Sequence, residues 1–137
     1  MSTIPASLHR LVIQRAQERC EYCKLSQASQ EASFHIDHIR PRAAHGSTTL
    51  ENLALACVSC SLRKAAKETA VDPSTGEPQP LFNPRTQSWV DHFRWDGGKA
   101  SPLTSTARAT VQALAMNRPL IVAIRLEEMA RGRYPYP

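Results

Sequence analysis

The four cysteines of this chain occur as two pairs with the same spacing, and they constrain its fold more than any other feature. Cys20 and Cys23 form one CxxC, Cys57 and Cys60 form the other, and the 33 residues 24–56 separate the pairs. Two such knuckles suit one tetrahedral zinc ion, because each short loop presents two thiolates at about 2.3 Å. Two disulfides, or a redox CxxC beside an unexplained second pair, are the alternatives. Because four thiolates leave no open position for water, we expect a zinc ion with a scaffolding role.

The length and charge of the chain narrow its class. With 137 residues, 42% of them hydrophobic, the chain is long enough for one compact domain and too short for two substantial ones. Its 17 Lys and Arg residues exceed its 12 Asp and Glu residues, which gives a net charge of +5. This excess favours a polyanionic partner such as nucleic acid, although proteins that bind nothing charged also carry such excesses.

The distribution of apolar residues indicates where in the cell the protein is expected. No segment approaches the ~20 consecutive apolar residues that a membrane-spanning helix requires. The N-terminal segment mixes polar and charged residues into its apolar positions and lacks a small-residue cleavage pattern, so we do not expect a signal peptide. We therefore expect a soluble, cytoplasmic protein that does not contact a membrane.

The N-terminal half alternates between helical and extended patterns. Apolar residues at helical spacing predict an amphipathic helix over residues 5–19, and alternation in "SFHIDHI" predicts a strand that ends before Pro41. Thr49 is a candidate N-cap for a short helix over "LENLALA", and a second helix is predicted from Ser61 through "LRKAAKETA".

The C-terminal half begins with a proline-containing connection. Residues 71–85 carry four prolines and one glycine, which predicts an ordered or semi-ordered connection without a helix or strand. Trp89, Phe93 and Trp95 are expected to close over an edge of the core, with His92 packed beside the first two. Two helices are predicted after that, over "TARATVQALAM" behind a Thr104 or Ser105 cap, and from Pro119 to a stop at Gly132.

An ordered series of short motifs lies between and around the cysteines. The pieces are "CEYC", "IDHIRP", "HGSTTLENL" and "CVSCSLRK", and together they span about residues 20–67. In this order they resemble the HNH nuclease family, in particular its zinc-stapled bacterial members. The resemblance implies an α+β fold with a small ββα-metal (His-Me finger) core, stapled by a four-cysteine zinc site, with additional N- and C-terminal helices. Residues 1–70 would form the HNH domain with its N-terminal helix, and residues 71–137 an extension packed on the same single domain.

The resemblance also implies roles for three residues. His38 would be the general base, since an unperturbed imidazole can accept a proton near neutral pH. Asp37 would bind a catalytic Mg²⁺ or Mn²⁺ through a hard carboxylate oxygen. Asn52 would hold the loop that carries the base and orient its imidazole. Because adjacent residues of a regular strand point to opposite faces, we expect the strand to kink or end at Asp37 and His38.

The position directly after the last cysteine departs from the family pattern. The family usually has Asn or His there as the second protein ligand of the catalytic metal, and this chain has Ser61. Weak metal binding, a substitute ligand, or loss of catalysis are the three outcomes. His35 is the nearest substitute because it lies two residues before Asp37, on the same face of a regular strand. A hydrogen-bonding role for His35 toward a neighbouring loop is the simpler interpretation.

Basic residues surround the predicted site. Phosphate contacts are expected from four of them, Arg40, Arg42, Arg63 and Lys64, with solvated surface charge as the alternative. Ordinary solvated charge is the more natural interpretation of Lys67. His45, next to Gly46, is expected in a turn or facing phosphate. In the C-terminal part, Arg85 and Arg94 could lengthen a DNA footprint, but a cap on the small core is the preferred interpretation.

These observations lead to one predicted function and two rivals. We expect a metal-dependent HNH endonuclease that hydrolyses DNA with a histidine base and one divalent cation. The first rival is a catalytically weak or inactive zinc-containing DNA-binding module, for which Ser61 is the main argument. The second, a structural zinc protein that binds another protein, would leave Asp37, His38 and Asn52 unexplained.

Overall fold

The computed structural model describes residues 4–133, and a hairpin followed by a helix lies at its centre. Strands β1 (His35–His38) and β2 (Leu53–Ala56) pair antiparallel, and helix α2 (Val58–Lys64) follows directly. This ββα unit agrees with the predicted α+β class. The predicted HNH domain (residues 1–70) and the predicted extension (residues 71–137) each have an outer end, residues 1–3 and 134–137, that lies outside the described residues.

The short helix predicted over residues 50–56 is wrong. Leu50–Asn52 form a single 3-10 turn without a side-chain cap from Thr49, and Leu53–Ala56 continue as β2. All four residues of β2 are buried, so the run is apolar on both faces and carries no periodicity that separates strand from helix. Pairing with β1 selects the strand.

Helix α2 begins and ends earlier than predicted. It starts at Val58 because the Cys57 sulfur caps it by accepting a hydrogen bond from the Cys60 N–H at 3.4 Å. It ends at Lys64, and Ala65 turns the chain with a left-handed φ of 48°. The predicted continuation through residue 70 is therefore wrong, and Thr69–Val71 form strand β3 instead.

The proline-containing connection also contains a strand that was not predicted. Strand β4 (Pro78–Pro80) pairs antiparallel with β3. Leu81 N donates to a carbonyl across this hairpin at 3.0 Å, and the carbonyl of Glu77 accepts from the other strand at 2.9 Å. On β4 and its flanks, the backbone groups of the odd-numbered residues therefore form the hydrogen bonds to β3. Pro78 and Pro80 are even-numbered, so the ladder needs no N–H from them.

The remaining elements include the helices predicted at both ends, but the first of them (Ala6–Arg15) ends four residues before the predicted residue 19, because Gln17 and Glu18 have left-handed φ values of 54° and 58°. Thr104 caps α4 (Ser105–Ala113) by accepting a hydrogen bond from the Ala107 N–H at 3.1 Å, and Gly132, with φ 74°, follows α5 (Pro119–Ala130). These elements are α1 (Ala6–Arg15), 3-10 turns at Gln27–Ser29 and Arg42–Ala44, α3 (Trp89–His92), β5 (Phe93–Asp96), β6 (Lys99–Pro102), α4 (Ser105–Ala113) and α5 (Pro119–Ala130).

The predicted aromatic cluster is confirmed, with one correction. The Trp89 ring lies 4.9 Å from the rings of both Phe93 and Trp95, measured between centroids. The expected packing of His92 with Trp89 is replaced by an edge contact with Phe82 at 5.6 Å. Nδ1 of His92 also lies 2.7 Å from the hydroxyl of the α4 cap.

The C-terminal part contacts the segment around the first CxxC. Arg85 forms an ion pair with Glu21. Trp89 Nε1 donates to the carbonyl of Tyr22 at 2.8 Å, and Arg125 donates to the carbonyl of Cys23 at 2.9 Å. Within residues 4–133, no helix combines the length and apolarity needed to cross a membrane.

Candidate active site

The four cysteine sulfurs form one buried cluster. All four lie within 4.8 Å of one another, and no disulfide joins them. The sulfurs of Cys23 and Cys57 are 3.7 Å apart, close to the spacing of about 3.8 Å that tetrahedral bonds of 2.3 Å would give. In each pair, the second cysteine's N–H donates to the first cysteine's sulfur at 3.4 Å. The donor set and its spacing are therefore compatible with zinc.

The cluster joins the first CxxC segment to β2 and α2 of the ββα unit. Cys57 directly follows β2, Cys60 lies in α2, and the other pair precedes β1 in the chain. Glu21, inside the first pair, donates its N–H to the Leu55 carbonyl and accepts the Leu55 N–H on its carboxylate, both at 2.8 Å. The sulfur site and this two-way contact together attach the first knuckle to the central hairpin.

Asp37 is a buried carboxylate with two neighbouring donors. It is 8% exposed, and its Oδ2 accepts a hydrogen bond from the Tyr22 hydroxyl at 2.8 Å. The ammonium of Lys64 lies 3.2 Å from Oδ2 and 3.4 Å from Oδ1. Burial raises the pKa of Asp37, while Lys64 and the Tyr22 hydroxyl oppose that shift.

Lys64 does not occupy the position expected of a phosphate contact. Its side chain is 2% exposed, and besides Asp37 it donates to the carbonyls of His38 at 3.2 Å and Ile39 at 3.0 Å. An ammonium has three N–H donors, and these three acceptors match them. The predicted phosphate contact at Lys64 is therefore wrong, and the residue instead ties α2 to the end of β1.

His38 is the last residue of β1, so the strand ends where the chemistry was predicted. Its Nε2 lies 2.9 Å from the Thr48 hydroxyl oxygen and accepts a hydrogen bond from Arg42 Nε at 3.2 Å. Because a guanidinium can only donate, this contact fits a neutral ring whose unprotonated nitrogen is Nε2. Burial and, to a smaller extent, the charge of Arg42 lower the pKa of His38, which also favours the neutral ring.

Asp37, His38 and Ser61 line one open pocket of about 270 Å³. Asp37 and His38 are adjacent in the chain, and both reach this pocket because β1 ends there. Arg42 lines the same pocket and lies on the exposed surface. The sequence prediction therefore identified residues that lie together in space.

Asn52 stands behind the loop that follows β1. Its Oδ1 accepts the Arg40 N–H at 2.8 Å, and its Nδ2 donates to the carbonyls of Arg40 at 3.0 Å and Ser47 at 2.8 Å. One amide thus bridges the two ends of the loop. Gly46 is required in this loop, because a Cβ there would lie 1.7 Å from the Arg40 carbonyl oxygen.

Ser61 forms a hydrogen bond with His35. The Ser61 hydroxyl oxygen lies 2.8 Å from His35 Nδ1, and His35 is exposed at the start of β1. The histidine considered as a substitute ligand is therefore next to the serine it would replace. Sequence reasoning did not identify Tyr22 and Thr48, which contact Asp37 and His38, because nothing in their local pattern separates them from ordinary polar residues.

The other predicted basic residues lie at the surface. The Arg40 side chain donates to the Ala44 carbonyl at 2.8 Å, and Arg63 Nε donates to the Ser59 hydroxyl at 3.2 Å. Both arginines are exposed. His45 has a left-handed φ of 65° and follows the 3-10 turn at Arg42–Ala44, so the predicted turn position is confirmed.

A comparison with family models gives one match. The model described as HNH endonuclease matches residues 20–67, the part of the chain that contains both CxxC pairs and the ββα unit. Among curated proteins and among solved structures, no match was found. Residues 20–67 of this chain therefore form a domain of the HNH endonuclease family.

Proposed function

We propose that the protein is a metal-dependent endonuclease that hydrolyses DNA phosphodiester bonds. One observation carries the proposal: the neutral imidazole of His38 and the anchored carboxylate of Asp37 line the same open pocket. A phosphodiester hydrolase needs a base for water and a cation at the phosphate, and these two groups suit those tasks. Exposed Arg40 and Arg42 beside the pocket suit contacts with the phosphate backbone.

In this proposal His38 accepts the proton of the attacking water. Nε2 is the unprotonated nitrogen, so a water that takes the place of both its present partners, the Thr48 hydroxyl and Arg42 Nε, gives its proton to that atom. Asn52 acts indirectly by fixing the loop that carries Arg40 behind the base. The Tyr22 hydroxyl and the Lys64 ammonium hold Asp37 in place and favour its ionised form.

The residues for a catalytic cation fit a hard divalent ion. Asp37 supplies a carboxylate and Ser61 a hydroxyl in the same pocket, and oxygen donors suit Mg²⁺ or Mn²⁺. When bound, such an ion neutralises charge on the phosphate and stabilises the leaving oxygen. Because a hydroxyl is a weak ligand, Asp37 carries most of the protein's contribution. His35 is the alternative second donor.

We also assign the four cysteines to a structural zinc ion. Support comes from their burial, their mutual spacing and the two CxxC knuckles. A reducing compartment such as the cytoplasm suits this assignment, because disulfides would consume the ligands.

Plasmid cleavage tests the proposal. Wild type incubated with Mg²⁺ or Mn²⁺ should nick or cut plasmid DNA, and omission of both ions should abolish the reaction. His38→Ala should lower the rate by about 10²- to 10⁴-fold, since a general base contributes that much. His9→Ala is the matched control, because His9 is exposed on α1, outside the candidate active site. Equal cleavage by His38→Ala and wild type would show that the base is assigned wrongly.

A second candidate function is a DNA-binding module with little or no catalysis. The observation in its favour is that the Ser61 hydroxyl, which should bind the cation, already lies in a hydrogen bond with His35. The variant Ser61→Asn separates the two candidates. An inactive wild type that gains EDTA-sensitive cleavage through this substitution would support the binding module.

A further inference from the structure

A groove of about 380 Å³ lies beside the candidate active site, between the HNH domain and the segment after β4. Arg40 and Lys67 line one side of it, and Asn83, Thr86 and Gln87 line the other. The volume falls within the range of about 300–1,000 Å³ that is usual for ligand pockets. The second side belongs to the C-terminal part of the chain, beyond the residues that match the family model.

The groove and the active-site pocket are separated by little more than one buried side chain. Lys64 lines the groove, and its ammonium bonds to Asp37 and to the carbonyl of His38. Arg40, which lines the groove, and Arg42, which lines the pocket, lie on the same loop. His38 lines the pocket and the next residue, Ile39, lines the groove, so a polymer held at His38 can continue into the groove.

The polar groups of the groove suit a nucleotide. Arg40 and Lys67 are exposed cations beside a single acidic residue of the lining, Glu68, and cations of this kind contact phosphate. Gln87 Oε1 accepts the Asn83 N–H at 2.9 Å, and Asn83 Oδ1 accepts the Thr86 N–H at 3.3 Å. With the amide oxygens facing the backbone, the amide N–H groups are the donors that can meet acceptors on a base edge.

We propose that this groove binds the nucleotide next to the cleaved phosphodiester. The C-terminal extension thereby supplies part of the substrate site. This inference rests on the proposed nuclease function, but its central test is a binding measurement that does not need catalysis.

Filling the groove is the first test. Thr86 is exposed on the groove wall, and Thr86→Trp places a large ring there. Ser74→Trp is the matched control, because Ser74 is exposed in the turn between β3 and β4, outside the groove lining. In the His38→Ala background without added Mg²⁺ or Mn²⁺, fluorescence anisotropy should show Thr86→Trp weakening duplex DNA binding about tenfold, as loss of a central contact does. The control should bind as the His38→Ala parent does.

Reversing one charge is the second test, and it decides the question if Thr86→Trp fails to fold in thermal melting. Lys67→Glu should weaken DNA binding. It should also make the plot of log K against log salt less steep, by about 1 or more in the slope, because a phosphate contact is lost. Lys99→Glu makes the same charge change at an exposed position on β6, away from the groove, and should leave the slope nearer to that of the parent. Equal slopes for the two variants and the parent would overturn the proposal.

A small substrate separates this proposal from the proposed function. Bis(4-nitrophenyl) phosphate is a phosphodiester without a neighbouring nucleotide. The ratio of kcat/KM for DNA to kcat/KM for this compound should fall in Thr86→Trp and stay constant in Ser74→Trp. If wild type hydrolyses neither substrate, the nuclease proposal fails, and the binding comparison still decides the groove. DNA affinity in Thr86→Trp equal to that of its parent would refute the groove whatever the activity.

Discussion

Two buried aspartates of this protein, each paired with a cation, have opposite electrostatic environments. Asp37, in the candidate active site, has a raised pKa because burial outweighs its contacts with Lys64 and Tyr22. Asp72, at the end of β3, has a lowered pKa because hydrogen bonds from Arg108 and Ser105 outweigh burial. Asp72 is surrounded by donors, whereas Asp37 has fewer donors and lines the open pocket.

The contacts themselves explain the difference. Arg108 places Nε 3.0 Å from Oδ1 of Asp72 and its terminal nitrogen 2.8 Å from Oδ2, in a bidentate arrangement. The Ser105 hydroxyl and the Ser74 N–H add donors at 2.6 and 2.8 Å. Asp37 has one short hydrogen bond, from Tyr22, and an ammonium at 3.2 Å.

The largest effect is expected from Lys64→Met, which leaves Asp37 without its cation. Removing one partner of a buried ion pair lowers the free energy of unfolding by about 3–5 kcal/mol. Chemical denaturation measures the loss. Adding Asp37→Asn to Lys64→Met should restore part of the stability, because no uncompensated buried charge remains. A double variant less stable than Lys64→Met would show that the ion pair is not the cause.

Arg108→Gln should destabilise the protein less than Lys64→Met does. The Arg108 side chain is 33% exposed, so water can replace it, and Asp72 keeps the Ser105 hydroxyl and the Ser74 N–H. Denaturation midpoints of the two single variants give the comparison directly. A larger loss for Arg108→Gln would reverse the order of the two sites.

The stability of the protein at acidic pH should depend on Asp72. The pKa of Asp72 is lower when folded than when unfolded, so its stabilising contribution is present above the ordinary aspartate value near 4. That contribution is lost as pH falls from there toward the folded-state pKa. Wild type should therefore lose stability between about pH 5 and 2 more steeply than Asp72→Asn, measured by thermal melting across that range. Parallel curves for the two proteins would contradict the assignment.

The smallest expected effect is stabilisation by a divalent cation. With Mn²⁺ or Mg²⁺ at about ten times its dissociation constant, binding should add about 1.4 kcal/mol to the stability of wild type. Asp72→Asn should respond to the ion as wild type does, and Asp37→Asn should not. A thermal shift retained in Asp37→Asn would place the ion elsewhere on the protein.

The sequence predicted those parts of the molecule that depend on short spacings. The CxxC pairs, the helices at both ends and the convergence of Asp37 and His38 at the end of a strand required only local patterns. The strand over residues 53–56 could not be predicted, because a run buried on both faces has no period and its partner lies 15 or more residues away in the chain. Lys64, which the sequence predicts to be exposed, is buried because three acceptors surround its ammonium. These are the Asp37 carboxylate and the carbonyls of His38 and Ile39, which no local pattern reveals. The pairing of Asp72 with Arg108 spans 36 positions and leaves no local pattern.

The hydrogen bond between Arg125 and the Cys23 carbonyl has a consequence for biosynthesis. The two residues are 102 positions apart, so the bond forms only after the chain has been made through Arg125. During translation the four cysteines and the central hairpin are made first. The Arg125 guanidinium that donates to the Cys23 carbonyl is made later. The four cysteines can therefore come together before α5 packs against the first CxxC segment.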